Sequence, residues 1–201
     1  MGREKLLKQL NKTGNTFIGL GIFMGLFGVF MASLFIKDGF SFPLIIFIVF
    51  ILLAAIFIIR GIDYKKGENS KYVKKYPNIL ELADSFSNTV FENDFVIISD
   101  KAIAEKKHCQ NIAALEDVLA IYEHIMRTNG IVTSHTVQLC IIDGRDIQIS
   151  VYAKKRDIKD DLVLTISHYC PNARVGFTAE NMEYVSEQRK AYKAQNNNNN
   201  N

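Results

Sequence analysis

Two stretches decide the fold: TFIGLGIFMGLFGVFMASLFI (Thr16–Ile36) and FSFPLIIFIVFILLAAIFII (Phe40–Ile59). Neither contains a charged residue, although 22% of the 201 residues in the chain are charged. At about 1.5 Å per residue, each stretch makes a helix of roughly 30 Å, the thickness of the hydrocarbon core of a bilayer. We therefore expect two transmembrane helices. The alternative, two buried core helices of a soluble protein, is disfavoured because such long charge-free runs are rare in soluble folds.

The first stretch has one feature of a signal peptide, since basic residues precede it. However, its apolar run exceeds the ~7–15 residues usual for a signal peptide, and a second apolar stretch follows at once. We therefore expect a retained helix that forms a transmembrane hairpin with the second stretch, over residues 1–60. In the tight connector Lys37–Phe42, Gly39 allows a turn, and Pro43 suits the first turn of the second helix.

The flanking charges predict the orientation of the hairpin. Four Lys or Arg residues precede the first stretch, one lies in the connector, and six lie between Arg60 and Lys75. Because basic flanks remain in the cytosol, we expect a multi-pass protein of the cell membrane with both termini cytosolic. Neither stretch contains an ionisable side chain, which argues against a pump or a coupled transporter.

Small residues recur on the first stretch at a spacing of four. Gly21 with Gly25, and Gly28 with Ala32, form two small-xxx-small pairs. Such pairs let helix backbones approach closely, so we expect a packing face for the second helix or for another copy of the chain. Glycine is also common in membrane helices without such a role, and the sequence leaves both interpretations open.

A basic connector follows the hairpin at residues 61–78. The cytosolic leaflet attracts basic residues next to a membrane helix, by about 1 kcal/mol for each residue near the surface. We therefore expect contact with an anionic lipid surface. The residues in question are Arg60, Lys65, Lys66, Lys71, Lys74 and Lys75.

The rest of the chain predicts a mixed domain. Its firmest local signal is Asp143–Gly144 between two runs of β-branched residues, which predicts a β-hairpin. The expected elements are a helix at 79–89, strands at 95–99, 102–107, 132–142 and 145–152, a helix at 158–169 and a weakly amphipathic C-terminal helix at 179–195. The run of asparagine at 196–201 should be disordered.

Residues 112–128 give two conflicting signals. Leu115, Val118, Leu119, Tyr122 and Ile125 have helical spacing. The same segment also alternates as a strand from Val118 onward, and a domain with only two hairpins would have too little sheet to cover its helix. The residues alone leave the choice between helix and strand open.

Three motifs carry a resemblance that favours the strand. These are IISD (97–100) at a strand and turn, LEDV (115–118) before a central strand, and CPNARVGF (170–177) after a helix. In this order they resemble bacterial pleckstrin-homology-like domains. More narrowly, the chain resembles uncharacterised bacterial membrane proteins with two transmembrane helices and a cytosolic domain of this kind. The resemblance implies an α+β domain at 79–178, in which a small, strongly bent antiparallel sheet is closed by a helix.

No motif for catalysis is found in the sequence. It has no Cys-x-x-Cys, no nucleophile elbow, no phosphate loop and no dinucleotide fingerprint. His108–Cys109 supplies two metal ligands at most, and no second pair follows at suitable spacing. The cluster Lys154–Lys155–Arg156 before a helix is a weaker candidate for lipid phosphate, because Asp157 and its acidic neighbours offset its charge. We expect no catalytic residue, no cofactor and no metal.

These observations predict a non-enzymatic, membrane-anchored binding or scaffolding protein. Its cytosolic domain would bind a protein partner or its own copies, and the hairpin would anchor it. The alternative is an accessory subunit of a membrane enzyme or transporter complex. The net charge of only +3 argues against a nucleic-acid partner.

Overall fold

The computed structural model describes residues 2–35, 42–76, 78–108, 111–129, 131–151 and 157–198. The chain forms two compact units, one comprising Arg3–Leu80 and the other the chain from Glu81 onward. The expected turn at Gly39, the thiol of Cys109 and the basic cluster at 154–156 lie outside the described residues. The chain is α+β, with two apolar helices and antiparallel sheets.

The first unit is built on two long helices, α1 (Arg3–Phe35) and α2 (Phe42–Lys65). Both have the length and hydropathy needed to cross a membrane. Helix α1 begins well before the predicted Thr16, because the polar segment ahead of it is rich in the good helix formers Lys, Leu and Gln. Helix α2 likewise continues past Ile59 to Lys65, so part of the expected connector is helical.

The remainder of the connector is also ordered. A 3-10 turn at Gly67–Asn69 leads into the short helix α3 (Lys71–Lys75). Ser70 caps this helix by accepting a hydrogen bond from the Val73 backbone N–H at 3.3 Å. The Asp63 carboxylate accepts a second bond from the Lys71 N–H at 3.0 Å, which ties α3 to the end of α2.

The second unit begins within α4 (Ile79–Ser85) and continues into a first sheet. Helix α4 ends earlier than predicted, because the turn residues Ser87 and Asn88 precede β-branched Thr89, which starts a strand. Four antiparallel strands follow in sequence order. They are β1 (Thr89–Glu92), β2 (Val96–Ser99), β3 (Ala102–Glu105) and β4 (Ile112–Ala114).

A second four-stranded sheet has the order β7-β6-β5-β8. Its strands β5 (Val118–Thr128), β6 (Ile131–Ile141) and β7 (Asp146–Ser150) are antiparallel, whereas the two-residue β8 (Arg174–Val175) pairs with β5 in parallel. Strand β8 has no counterpart in the sequence prediction. The single bent sheet expected from the resemblance is thus divided into two sheets.

The ambiguous segment 112–128 forms the strands β4 and β5, joined by a 3-10 turn at Leu115–Asp117, and not the α-helix that its spacing also allowed. A β-bulge between Val118 and Ala120 places Val118 and Ile121 in the same core cluster. Leu119 and Ala120 belong to a second cluster, with Val185 of α6 (Ala179–Asn198). Helical spacing of apolar residues therefore arises here because both faces of a bulged strand are covered.

The main core unites both sheets with α5 (Asp157–Tyr169). Ile98 and Ile103 from the first sheet, Leu139 from the second, and Leu162 and Ile166 from α5 belong to one buried cluster. Helix α6 lies on the other side of the second sheet and extends to Asn198, into the asparagine run that the sequence predicts to be disordered.

Candidate functional site

A series of contacting aromatic rings lies at the end of the helical hairpin where α2 leads into α3. Phe17 on α1 stacks on Phe57 at 5.8 Å and on Tyr64 at 5.7 Å, both from α2. Tyr64 contacts Tyr72 of α3 at 6.0 Å, and Tyr72 contacts Tyr76 at 5.3 Å. These contacts fix α3 against the hairpin with three tyrosines on one surface.

This surface lines a pocket of about 560 Å³, which we call the foot pocket. Phe17 and Ile59 form its apolar part, and the three tyrosines form a wall. Its charged residues are the cations Arg60, Lys71 and Lys75 and one carboxylate, Asp63.

The charges around the foot pocket are unbalanced. Asp63 already accepts the Lys71 backbone N–H, and its other oxygen lies 3.9 Å from the Lys66 ammonium. Lys75 lies over the Tyr76 ring at 5.2 Å. Within the described residues, Arg60 and Lys71 form no ion pair through their side chains. The pocket is therefore a cationic cavity with an aromatic wall.

The structure divides the six cations predicted to contact lipid into two groups. Arg60, Lys71 and Lys75 line the foot pocket, whereas Lys65, Lys66 and Lys74 do not. Lys66 faces Asp63, and the Lys65 stem lies beside Gly14. Sequence reasoning missed Tyr64, Tyr72 and Tyr76, although tyrosine next to an apolar span is typical of a membrane interface.

The predicted packing residues lie between α1 and α2. A Cβ on Gly21 would lie 2.9 Å from the Ala54 carbonyl oxygen, and one on Gly28 would lie 2.9 Å from the Phe50 Cβ. A Cβ on Gly25 would lie at an ordinary contact distance of 3.7 Å from the Ala54 Cβ, and Ala32 is half-buried. The glycines that face α2 thus serve the packing of the two helices within one chain.

Sequence reasoning missed the closest approach of these helices. A Cβ on Gly61 would lie 2.6 Å from the Gly14 carbonyl oxygen, and one on Gly14 would lie 2.7 Å from the Gly61 oxygen. Gly14, Gly21 and Gly28 are seven residues apart, as are Ala54 and Gly61. This heptad spacing was the available signal, because it keeps small residues on one helix face.

The second unit carries a different surface, the outer half of the β5–β6 hairpin. Strand β7 pairs with Thr136–Cys140, and the Val151 N–H that follows it donates to the His135 carbonyl oxygen at 2.9 Å. Strand β8 pairs with Ala120–Ile121, and no other described strand pairs with residues 123–134 along their outer edges. We call residues 123–134 the arm. The large apolar side chains exposed on it are Ile125, Met126, Ile131 and Val132. At its base, the buried His135 ring faces the Glu123 carboxylate.

A groove of about 400 Å³ lies between the second sheet and α6. Arg189 of α6 donates to the Ile141 and Arg145 carbonyl oxygens at 2.9 and 2.8 Å and to Asp146 at 2.7 Å. Burial, with the nearby Asp146, raises the pKa of the Cys140 thiol to about 11. The thiol is therefore protonated at neutral pH and is a poor nucleophile.

Other polar groups of this unit have structural roles. The buried Glu105 accepts from Asn111 at 2.9 Å and contacts the His108 ring at 3.0 Å, which holds the β3–β4 connection. Burial raises the pKa of the Cys170 thiol to about 12. Among the described residues, no group of three His, Cys, Asp or Glu side chains is placed to hold a metal ion.

Comparisons of the chain with models of protein families, with curated proteins and with solved structures give no match.

Proposed function

We propose that α1 and α2 anchor the chain in the cell membrane as a multi-pass hairpin, with both termini in the cytosol. The support is the apolar surface of the two helices, which is far larger than the patches that soluble proteins leave in contact with water. Its large exposed side chains are Leu20, Ile22, Phe23, Leu26, Phe27, Val29 and Phe30 on α1, and Ile45, Ile48, Val49, Ile51, Leu52, Leu53, Ile56, Ile59 and Ile62 on α2. Together they favour insertion by several kcal/mol.

The second unit, in this proposal, is a pleckstrin-homology-like domain. The order of its elements supports this: a four-stranded meander, three further antiparallel strands, and then helix α5. Leu162 and Ile166 of α5 share a core with strands of both sheets, as a helix that closes a bent sheet would. The resemblance to bacterial membrane proteins with such a domain points the same way.

The function that we propose is that of a non-enzymatic, membrane-anchored binding protein. The single observation that carries it is the arm, which has exposed apolar side chains and two strand edges that no other described strand covers. An open edge binds another strand through main-chain hydrogen bonds, and neighbouring side chains add specificity. The arm would therefore bind a strand of a protein partner or of a second copy of the chain. The protonated thiols and the structural roles of Glu105 and His108 fit a domain without catalysis.

Substitutions on the arm test this function. In Ile125→Thr/Ile131→Thr, apolar contact area is lost while β-propensity is kept. The matched control, Val90→Thr/Leu164→Gln, changes two exposed apolar residues elsewhere on the same unit. The full chain is extracted from native membranes in mild detergent, and the mass and composition of its complex are measured.

The wild type and the control should retain the same stoichiometric partner or the same oligomer, and the arm variant should lose it. If all three proteins give the same complex, the arm is not the binding surface. Recovery of a membrane enzyme or transporter subunit, in a complex indifferent to the arm variant, would favour the accessory-subunit alternative.

A further inference from the structure

We propose that the foot pocket binds the headgroup of one anionic phospholipid, with its phosphate held by Arg60, Lys71 and Lys75. The inference rests on the proposed insertion of α1 and α2 in a membrane, which supplies the lipid. It differs from diffuse attraction between a basic segment and a charged surface, because it assigns a single site to three of the six basic residues.

The first argument is that the cations of the foot pocket are not balanced by carboxylates among the described residues. The carboxylate of Asp63 is occupied by the Lys71 backbone N–H and faces Lys66 on its other side. The side chains of Arg60 and Lys71 form no ion pair among the described residues. Guanidinium and ammonium groups that converge on a cavity make charge-assisted hydrogen bonds to phosphate oxygens. An anion would therefore supply the counter-charge that the described residues around the pocket do not supply.

The second argument is the amphipathic lining of the foot pocket. Phe17 and Ile59 belong to the apolar lengths of α1 and α2, and Arg60 is the first charged residue after the apolar run of α2. Tyrosine rings, which are amphipathic, favour the boundary between hydrocarbon and water. A free phosphate ion would gain nothing from the apolar part, whereas a phospholipid places its glycerol and upper acyl chains there. The volume of about 560 Å³ is within the usual range for small-molecule sites.

The third argument is that the backbone that carries these lysines is held in place before any lipid binds. Lys71 and Lys75 are four residues apart, so they lie on one face of α3. The Ser70 cap, the Asp63 bond and the contact between the Tyr64 and Tyr72 rings fix α3 against α2. A site whose groups are already positioned loses less conformational entropy on binding.

The experiment compares two variants of equal charge in the full chain. The site variant is Arg60→Gln/Lys71→Gln/Lys75→Gln, and the control is Lys65→Gln/Lys66→Gln/Lys74→Gln. Each protein in a neutral detergent is titrated with phosphatidylglycerol, with phosphatidylcholine or with inorganic phosphate. Native mass spectrometry counts the bound lipids, and circular dichroism checks that all proteins are equally folded.

The wild type and the control should each retain one phosphatidylglycerol in preference to phosphatidylcholine. The site variant should bind it at least tenfold more weakly. A second variant, Lys71→Arg/Lys75→Arg, keeps the charges and should keep binding within about threefold, so the test does not depend on the triple variant alone. Inorganic phosphate at the same concentration should not displace the lipid.

Three results would overturn the proposal. An equal loss of phosphatidylglycerol binding in the site variant and in the control would mean that the basic segment attracts anionic lipid only diffusely. Displacement of the lipid by inorganic phosphate would indicate a site for a free anion. The absence of saturable lipid binding would show that no specific lipid site exists.

Extraction of the chain from vesicles with alkaline carbonate tests insertion separately. A chain that is released overturns the proposed anchor together with this inference, whereas one that inserts but retains no phosphatidylglycerol overturns this inference alone.

Discussion

The carboxyl group of Asp117 has an unfavourable position in the second unit. It lies half-buried in the 3-10 turn Leu115–Asp117, near Glu116 and Asp143. Burial first, and then the repulsion from these two carboxylates, raise the pKa of Asp117, while Arg145 opposes the shift. Because the raised pKa belongs to the folded state, folding favours the protonated form. Stability contributed by this group is therefore lost as the pH rises from below 3.8 through the raised value.

Replacing Asp117 by Asn should stabilise the protein at pH 7 and have little effect well below pH 3.8, where the wild-type carboxyl is protonated in both states. The measurement is the midpoint of thermal unfolding, followed by the β-sheet signal in detergent at pH 7 and well below pH 3.8. Asp146→Asn is the contrasting variant, because it removes the negative charge that pairs with Arg189 at 2.7 Å and should lower the midpoint at pH 7. A lower midpoint for Asp117→Asn at pH 7 would contradict the sign of the shift.

At this scale, the sequence analysis had named three of the nine residues that line the foot pocket, as candidates for contact with lipid. The clustering of Arg60, Lys71 and Lys75 after an apolar run indicates contact with lipid without any coordinates. Their separation from Lys65, Lys66 and Lys74 depends on where α2 ends and how α3 turns back, which is set by the Ser70 cap and the Asp63 bond. Charge counting cannot separate these two groups, because all six cations are close in sequence.

Among the secondary-structure elements, β5 was the hardest to predict. Its buried run Val118–Ile121 lacks alternation because α6 covers one face and the main core covers the other, with a bulge between them. Periodicity is informative when one face of an element is buried, so a strand covered on both faces gives no clear signal. The Asp143–Gly144 hairpin was predictable because its signal is local to the turn, where Gly144 has φ 95°.

The packing of α1 on α2 gives the prediction for the hairpin. A methyl group at Gly61 would meet the Gly14 carbonyl oxygen at 2.6 Å and the Ile18 backbone nitrogen at 2.9 Å. Backbone atoms cannot move aside as a side chain can, so Gly61→Ala should separate the helices and cost about 1–3 kcal/mol. Gly19→Ala is the matched control, since no atom lies within 4 Å of its Cβ position.

Thermal unfolding of the helical signal in detergent measures the effect. Gly61→Ala should unfold at a lower temperature than the wild type, and Gly19→Ala at the same or a higher temperature, because alanine is the better helix former. Equal midpoints for the two variants would show that the close approach of Gly14 and Gly61 does not stabilise the hairpin.

For the whole molecule, the division into an apolar hairpin and a mixed unit was predictable from composition. Beyond Ile59, the longest stretch without Asp, Glu, Lys or Arg is residues 128–142, which contains a histidine and is too short to span a membrane as a helix. The boundary between the units was harder to predict from the sequence, because α2 continues into the polar segment and α3 adds an ordered turn. The division of the sheet into two could not be predicted from the sequence. It depends on which strands pair across long separations in sequence rather than on local propensity.

The antiparallel packing of the hairpin leads to a prediction for its orientation. Gly14 approaches Gly61 at one end of the helices, and Gly28 approaches Phe50 further along. The four cations before α1's apolar run and the six from Arg60 to Lys75 therefore lie at the same end, where basic residues favour the cytosol. Fusions of a compartment-sensitive reporter at residue 39 and at residue 201 should report opposite sides of the membrane, with residue 201 in the cytosol. An external C-terminal reporter would contradict the orientation, and two reporters on the same side would contradict the paired spans.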